Sequence, residues 1–151
     1  MVSFYEDLFD HLRSLISSEK YKKLNGLEQV MQVLIARACY VKDHPYCSML
    51  YDEVELMVVR EEIDTESCQK YLDIGASISK YFMPPLEKGK LDGSIKKDLR
   101  QEETVALLYF TFETVSQRLM RLYSNPAMGQ QIDTWEIMRN TLEIIRKYLA
   151  N

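Results

Sequence analysis

The sequence predicts an all-α fold, a single-domain antiparallel bundle of about six helices, and three observations predict it. Apolar residues recur at helical spacing through most of the chain. A small polar residue followed three positions later by glutamate stands at the head of several of these runs, the pattern of a capping box. Nowhere does a sustained period-two stretch lie between hairpin turns, so no strand is expected. With 151 residues, 46% hydrophobic and 28% charged, the chain is long enough for one domain with a real core.

Ser3 with Glu6 opens a helix almost at the first residue, carrying Phe4, Leu8, Leu12, Leu15 and Ile16 inward and stopping around Ser17 to Tyr21. Asn25 with Glu28 opens the next, where Leu27, Val30, Met31, Leu34, Ala38 and Val41 share a face until Lys42, Asp43 and His44 break the pattern. Pro45 suits the first position of a third helix, because its missing N–H would have no partner there anyway. That helix should reach about Glu62, with Met49, Leu50, Val54, Met57 and Val58 on its buried side. Asp64 or Thr65 caps a fourth, which shows Cys68, Tyr71, Gly75, Ile78 and Phe82 on one face and which Pro84 and Pro85 end. Leu86 to Leu99, with Gly89, Gly93 and charges throughout, reads as a loop or a broken short helix.

Gln101 to Tyr123 is the long helix around which the rest is expected to be built. Val105, Leu108, Phe112, Val115, Leu119 and Leu122 fall on one stripe, and Ala106, Tyr109, Phe110 and Met120 form a second apolar patch beside it. Only a strip with Thr111, Thr114, Arg118 and Arg121 suits water. So much apolar circumference predicts a helix that is central in its domain or covered on one side by another chain. Asn125, Pro126 and Gly129 close it. Asp133 with Glu136 caps the last helix, with Ile132 and Ile137 placed as a hydrophobic staple. Its inward residues are Met138, Leu142, Ile145, Tyr148 and Leu149.

The 19 Lys and Arg against 23 Asp and Glu leave a net charge of −4, wrong for a body that itself clamps a phosphate backbone. Lys20, Lys22 and Lys23, and the basic residues from Lys88 to Arg100, read as solvated loops. Cys39, Cys47 and Cys68 are an odd count without disulfide-framework spacing, which suits a reducing cytoplasm. No charged-then-apolar leader opens the chain, and the longest apolar run, near Val105 to Phe112, is too short to span a bilayer. A soluble cytoplasmic protein with no membrane partner is expected.

Little in the sequence promises reaction chemistry. His44 and Cys47 could share a helix face, but a zinc site wants four ligands and no other Cys or His is close, so neither metal nor cofactor is expected. There is no Gly-rich phosphate loop, nucleophile elbow or His-Glu-x-x-His motif, and the expectation is a protein that is not an enzyme. A small-molecule cavity is the remaining possibility. Gly75, Ala76, Ser77 and Ser79 leave either unfilled volume or room for a close helix approach. Glu113 lies in the second apolar patch, where a bare carboxylate is costly, so it bonds Gln117 or an arginine on a neighbour, or it meets a ligand. Around such a ligand Tyr71, Phe82, Tyr109 and Phe112 would be the walls, and Met31 and Met57 adaptable fillers. Each of these also suits plain core.

The segment KDHPYCSMLYDEV, with its Pro-started helix and acidic position a turn or two later, resembles the middle of the TetR family's C-terminal domain. So does LEKGKLDGSIKKDLRQEETVALLYFTFETVSQRL, where Gly89, Gly93, Asp98 and Gln101 to Leu119 follow in order the family's two glycines, acidic cap and dimer helix. The likeness spans nearly the whole chain on diffuse motifs. It implies a homodimer in which the last two helices pair with their symmetry mates as a four-helix bundle, while earlier helices enclose a pocket for a small, partly hydrophobic effector. Val105, Leu108, Val115, Leu119 and Leu122 of the long helix and Met138, Leu142, Ile145 and Leu149 of the last would make the contact. The family's repressors also carry an N-terminal helix-turn-helix. This chain starts where that module should already have ended, so DNA binding is implied for an intact relative and not for these residues. Two other readings stand beside it: a helical interaction module that binds another protein's helices and holds no ligand, and a cofactor-independent enzyme using Glu113 and a tyrosine for proton transfer.

Overall fold

The computed structural model of the chain describes the backbone of residues 2–123 and 133–151, and their side chains except 2–5, 47–49, 51–52 and 123. Among the described residues there is no strand, and the helices are α1 (Val2–Ser17), the single turn α2 (Glu19–Lys22), α3 (Gly26–Asp43), α4 (Pro45–Val59), α5 (Thr65–Ser79), α6 (Met83–Asp92), α7 (Gln101–Tyr123) and α8 (Thr134–Leu149). An isolated antiparallel bridge joins Ile95 to Ala150, with the Lys96 N–H donating to the Leu149 carbonyl at 3.0 Å. No described helix is long and apolar enough to cross a membrane.

The element most enclosed by others is α3, not α7. It packs against α1, α2, α4, α6, α7 and α8, and its buried residues run from Leu27 through Val30, Met31, Val33 and Leu34 to Val41. Polar letters hide this in the sequence, because Gln29 and Arg37 sit inside the run and are themselves buried. Gln29 Nε2 donates to the Tyr21 carbonyl at 3.0 Å, and Arg37 forms an ion pair with Glu113.

The first turn of α3 shows why the chain places it there. A helix start leaves amide donors without partners inside the helix. Asn25 Oδ1 accepts from the Glu28 N–H at 2.9 Å, Asp92 Oδ2 from Gly26 at 2.8 Å, and Ser94 Oγ from Leu27 at 3.1 Å. Two of those acceptors come from the end of α6 and the turn after it, so α6 caps α3. The approach is close enough that a Cβ on Gly26 would collide with the Gly89 backbone, and one on Gly89 with the Ile95 side chain. Gly93 ends α6 at φ 78°, in the left-handed region where glycine has no steric cost. Lys88 Nζ donates to the Lys22 and Leu24 carbonyls at 3.1 and 2.6 Å, and Lys96 Nζ to Tyr148 at 2.8 Å. These basic residues stitch the fold together.

Several expectations need correction. Pro84 and Pro85 do not close α5, which stops at Ser79; they form the first turn of α6, where a missing N–H costs nothing. Leu86 to Asp92 is therefore helical. α4 ends at Val59 and turns Val54 and Val58 inward, leaving Leu50 and Met57 exposed. At Gly75 a Cβ would meet nothing within 4 Å, so no close helix approach occurs there. Asn25, Asp64 and Asp133 do cap helices through their side chains. The side chains of Ser3, Phe4, Cys47 and Met49, the Asn125-Pro126-Gly129 turn and the Ile132 half of the staple lie outside the described residues.

A larger correction concerns the contact surface. Val105, Leu108 and Leu119 of α7 and Met138, Leu142, Ile145 and Leu149 of α8 are buried within this one chain, where α7 and α8 meet each other and α3. Val115 and Leu122 are half-buried at the edge of that core. The stripe expected to face a partner is needed at home, because α3 presents an apolar surface to it. What stays uncovered lies on other faces: Leu107 and Phe110 of α7, the phenylalanine 64% exposed, and Ile137, Ile144 and Tyr148 of α8, with Ile144 at 68%.

Candidate functional site

Arg37 reaches from the middle of α3 toward α7, its side chain only 3% exposed. One terminal nitrogen of the guanidinium donates to Glu113 Oε1, and the group lies over the rings of Phe112 at 4.8 Å and Tyr109 at 5.8 Å. Spacing explains the cluster: Tyr109, Phe112 and Glu113 fall three and four apart on α7, so all three turn toward one side. A buried guanidinium requires a countercharge, and the aromatic faces add a favourable field. Glu113 is therefore held as the partner of a structural cation. That arrangement answers the costly bare carboxylate anticipated from sequence with the neighbouring arginine.

The other residues expected to bind a ligand serve the core or face outward. Met31, Phe82 and Phe112 are wholly packed in the core, Tyr71 and Tyr109 are half-buried, and Met57 faces outward at 39% exposure. Tyr109, Phe112 and Glu113 are brought together around Arg37.

A half-open cavity of about 270 Å³ lies elsewhere, where the end of α3 and the beginnings of α4 and α8 meet α7. Among the described residues its apolar wall includes Ala38, Val41, Leu119, Met120, Trp135 and Met138, and Lys42, Asp43 and Asp133 are its charged residues. Lys42 Nζ stands 4.8 Å from the centroid of the Trp135 ring. Asp133 Oδ1 accepts from the N–H groups of Trp135 and Glu136, each at 3.0 Å, which fixes the first turn of α8 and with it the indole. None of the expected ligand residues lines this space, whereas Leu119 and Met138, expected at a dimer contact, do.

Comparison with protein-family models, curated proteins and solved structures finds no match to this chain.

The geometry must therefore speak for itself. Among the described residues no group of three or more His, Cys, Asp or Glu is placed to hold a metal ion, and Cys39 and Cys68 are free thiols. Three residues of these two places were not singled out in sequence. Arg37 is a lone charge within the apolar run VLIARACYV, a signal that a buried ion pair was due. Trp135 is the single tryptophan, two positions after the cap residue Asp133. Lys42 reads in sequence only as an end of periodicity, and nothing local ties it to an indole on α8.

Proposed function

We propose that this chain is the effector-binding and dimerisation part of a TetR-like cytoplasmic transcriptional regulator, and that α7 and α8 pair with the same helices of a second copy. The observation that carries this reading is the apolar face left on those two neighbouring helices after the core has closed: Leu107 and Phe110 on α7, Ile137, Ile144 and Tyr148 on α8. Leu107 and Phe110 are three apart, and Ile137, Ile144 and Tyr148 are seven and four apart, spacings that keep each set on one side of its helix. A twofold axis across these helices would lay the face on its own copy and cover both with one surface. Effector binding would act by favouring one arrangement of the two halves. DNA contact belongs to the helix-turn-helix that the resemblance implies.

Light scattering at micromolar concentration should report a dimer. Phe110→Glu with Ile144→Glu should give a monomer of unchanged helicity, because both positions are exposed and lie outside the buried core. A parent chain that is strictly monomeric sinks the proposal.

An interaction module without a ligand is the second reading, favoured by the outward face of α4, where Tyr46, Leu50 and Met57 are exposed, and by Glu113 already having its countercharge in Arg37. A chain whose melting is unmoved by small aromatic effectors would support it. In both readings Glu113 serves as the countercharge of Arg37.

A further inference from the structure

The cavity at the end of α3 has a chemistry of its own. Its volume of about 270 Å³ is nearly twice the roughly 150 Å³ of an apolar cavity known to take up benzene, so one ring or two fused rings fit. The wall is aliphatic and thioether, with Met120 and Met138 able to adapt to a flat guest. Among the described residues Trp135 supplies the only large aromatic surface, and a cation already stands against it in the form of the Lys42 ammonium. Indole has the strongest quadrupole of the natural side chains, so this is the place in the cavity where positive charge is most welcome.

Among the described residues two carboxylates, those of Asp43 and Asp133, line the cavity against one ammonium. An anionic guest would meet both, whereas a cationic one gains from both and from the ring. Lys42 is exposed, and among the described residues it joins no ion pair. Little therefore holds its ammonium on the indole, and a long flexible side chain can swing out into water.

We propose that this cavity binds a small aromatic cation, an amine or quaternary ammonium on one or two rings, whose charge replaces the Lys42 ammonium over Trp135 beside Asp43. Lys42 then acts as a displaceable occupant of the site. As the effector class of the regulator the proposal rests on the reading above; as a binding site it does not.

Trp135 is the only tryptophan, so its fluorescence reports this cavity alone. Titration of the full chain with benzyltrimethylammonium should give a saturable change, with benzyl alcohol and benzoate at least about tenfold weaker. Lys42→Ala should tighten binding of the cation by roughly threefold to tenfold, and Asp43→Asn should weaken it by a similar factor. Both positions are exposed, so the fold should persist, with circular dichroism as the check. Trp135→Leu, followed by calorimetry in place of fluorescence, should lose the cation's binding. Preference for benzoate, absence of saturation with all three compounds, or affinities unmoved by Lys42→Ala and Asp43→Asn would each overturn the site. A dimer without saturable binding rejects the site and leaves the regulator reading, and a monomer that binds does the reverse.

Discussion

Arg37 and Glu113 stand 76 positions apart in the chain, and each makes sense only through the other. A guanidinium that is 3% exposed cannot recover its hydration if the carboxylate is removed, whereas Glu113, at 16%, keeps some access to water. Glu113→Leu should therefore cost about 3 to 5 kcal/mol in urea unfolding, and Arg37→Met less. The double replacement should cost well under the sum of the two, because it leaves no charge stranded. Single and double variants whose costs simply add would show the pair to be uncoupled. In the sequence the need for a partner at Glu113 is legible, since a carboxylate amid Tyr109, Phe110 and Phe112 is too costly to stand alone. The identity of the partner is not, because nothing in either helix records which turn of the other it will meet.

The glycines make opposite demands at the level of the helix. At Gly89 a methyl group would run into Ile95 beside the crossing with Gly26, while at Gly75 on α5 it would enter open space. Gly89→Ala should destabilise by about 2 to 3 kcal/mol as the buried Ile95 side chain is pushed out of its place. Gly75→Ala should instead stabilise by about 0.5 to 1 kcal/mol, by reducing the freedom of the unfolded chain in a helix interior. Denaturant midpoints read both, and equal effects of one sign would refute the assignment. Helices with a side-chain cap at their head, α3, α5 and α8, could be read from sequence because the cap and the apolar period are both local signals. α6 could not be read, for a proline pair punctuates equally well after one helix or inside the first turn of the next. Gly89 and Gly93 stood out as a pair, yet their separate tasks, a backbone crossing and a left-handed cap, depend on where α3 lies.

Across the whole molecule, two carboxylates fasten α3 to distant parts of the chain. Arg146 of α8 grips Glu28 with two hydrogen bonds of 2.5 and 3.0 Å and holds its carboxyl below the ordinary value of 4.5. The Ser94 hydroxyl, with the N–H groups of Gly26 and Ser94, holds Asp92 below its ordinary 3.8. A carboxyl depressed on folding stabilises fully above its unfolded value, and the contribution fades as pH falls through the folded one. Melting temperature should therefore decline below about pH 4.5, and Glu28→Gln or Asp92→Asn should flatten that decline while lowering stability near neutrality. An acid limb unchanged in both variants would place the titration elsewhere. The cavity belongs to this scale too, which is why no motif announced it: it exists only where the ends of α3 and α7 converge with the heads of α4 and α8. The antiparallel bridge between Ile95 and Ala150 has its own consequence. It latches the far end of α8 to the turn that also caps α3, so loosening that end of the helix breaks the Lys96 N–H bond to Leu149 and disturbs the segment on which the first turn of α3 depends.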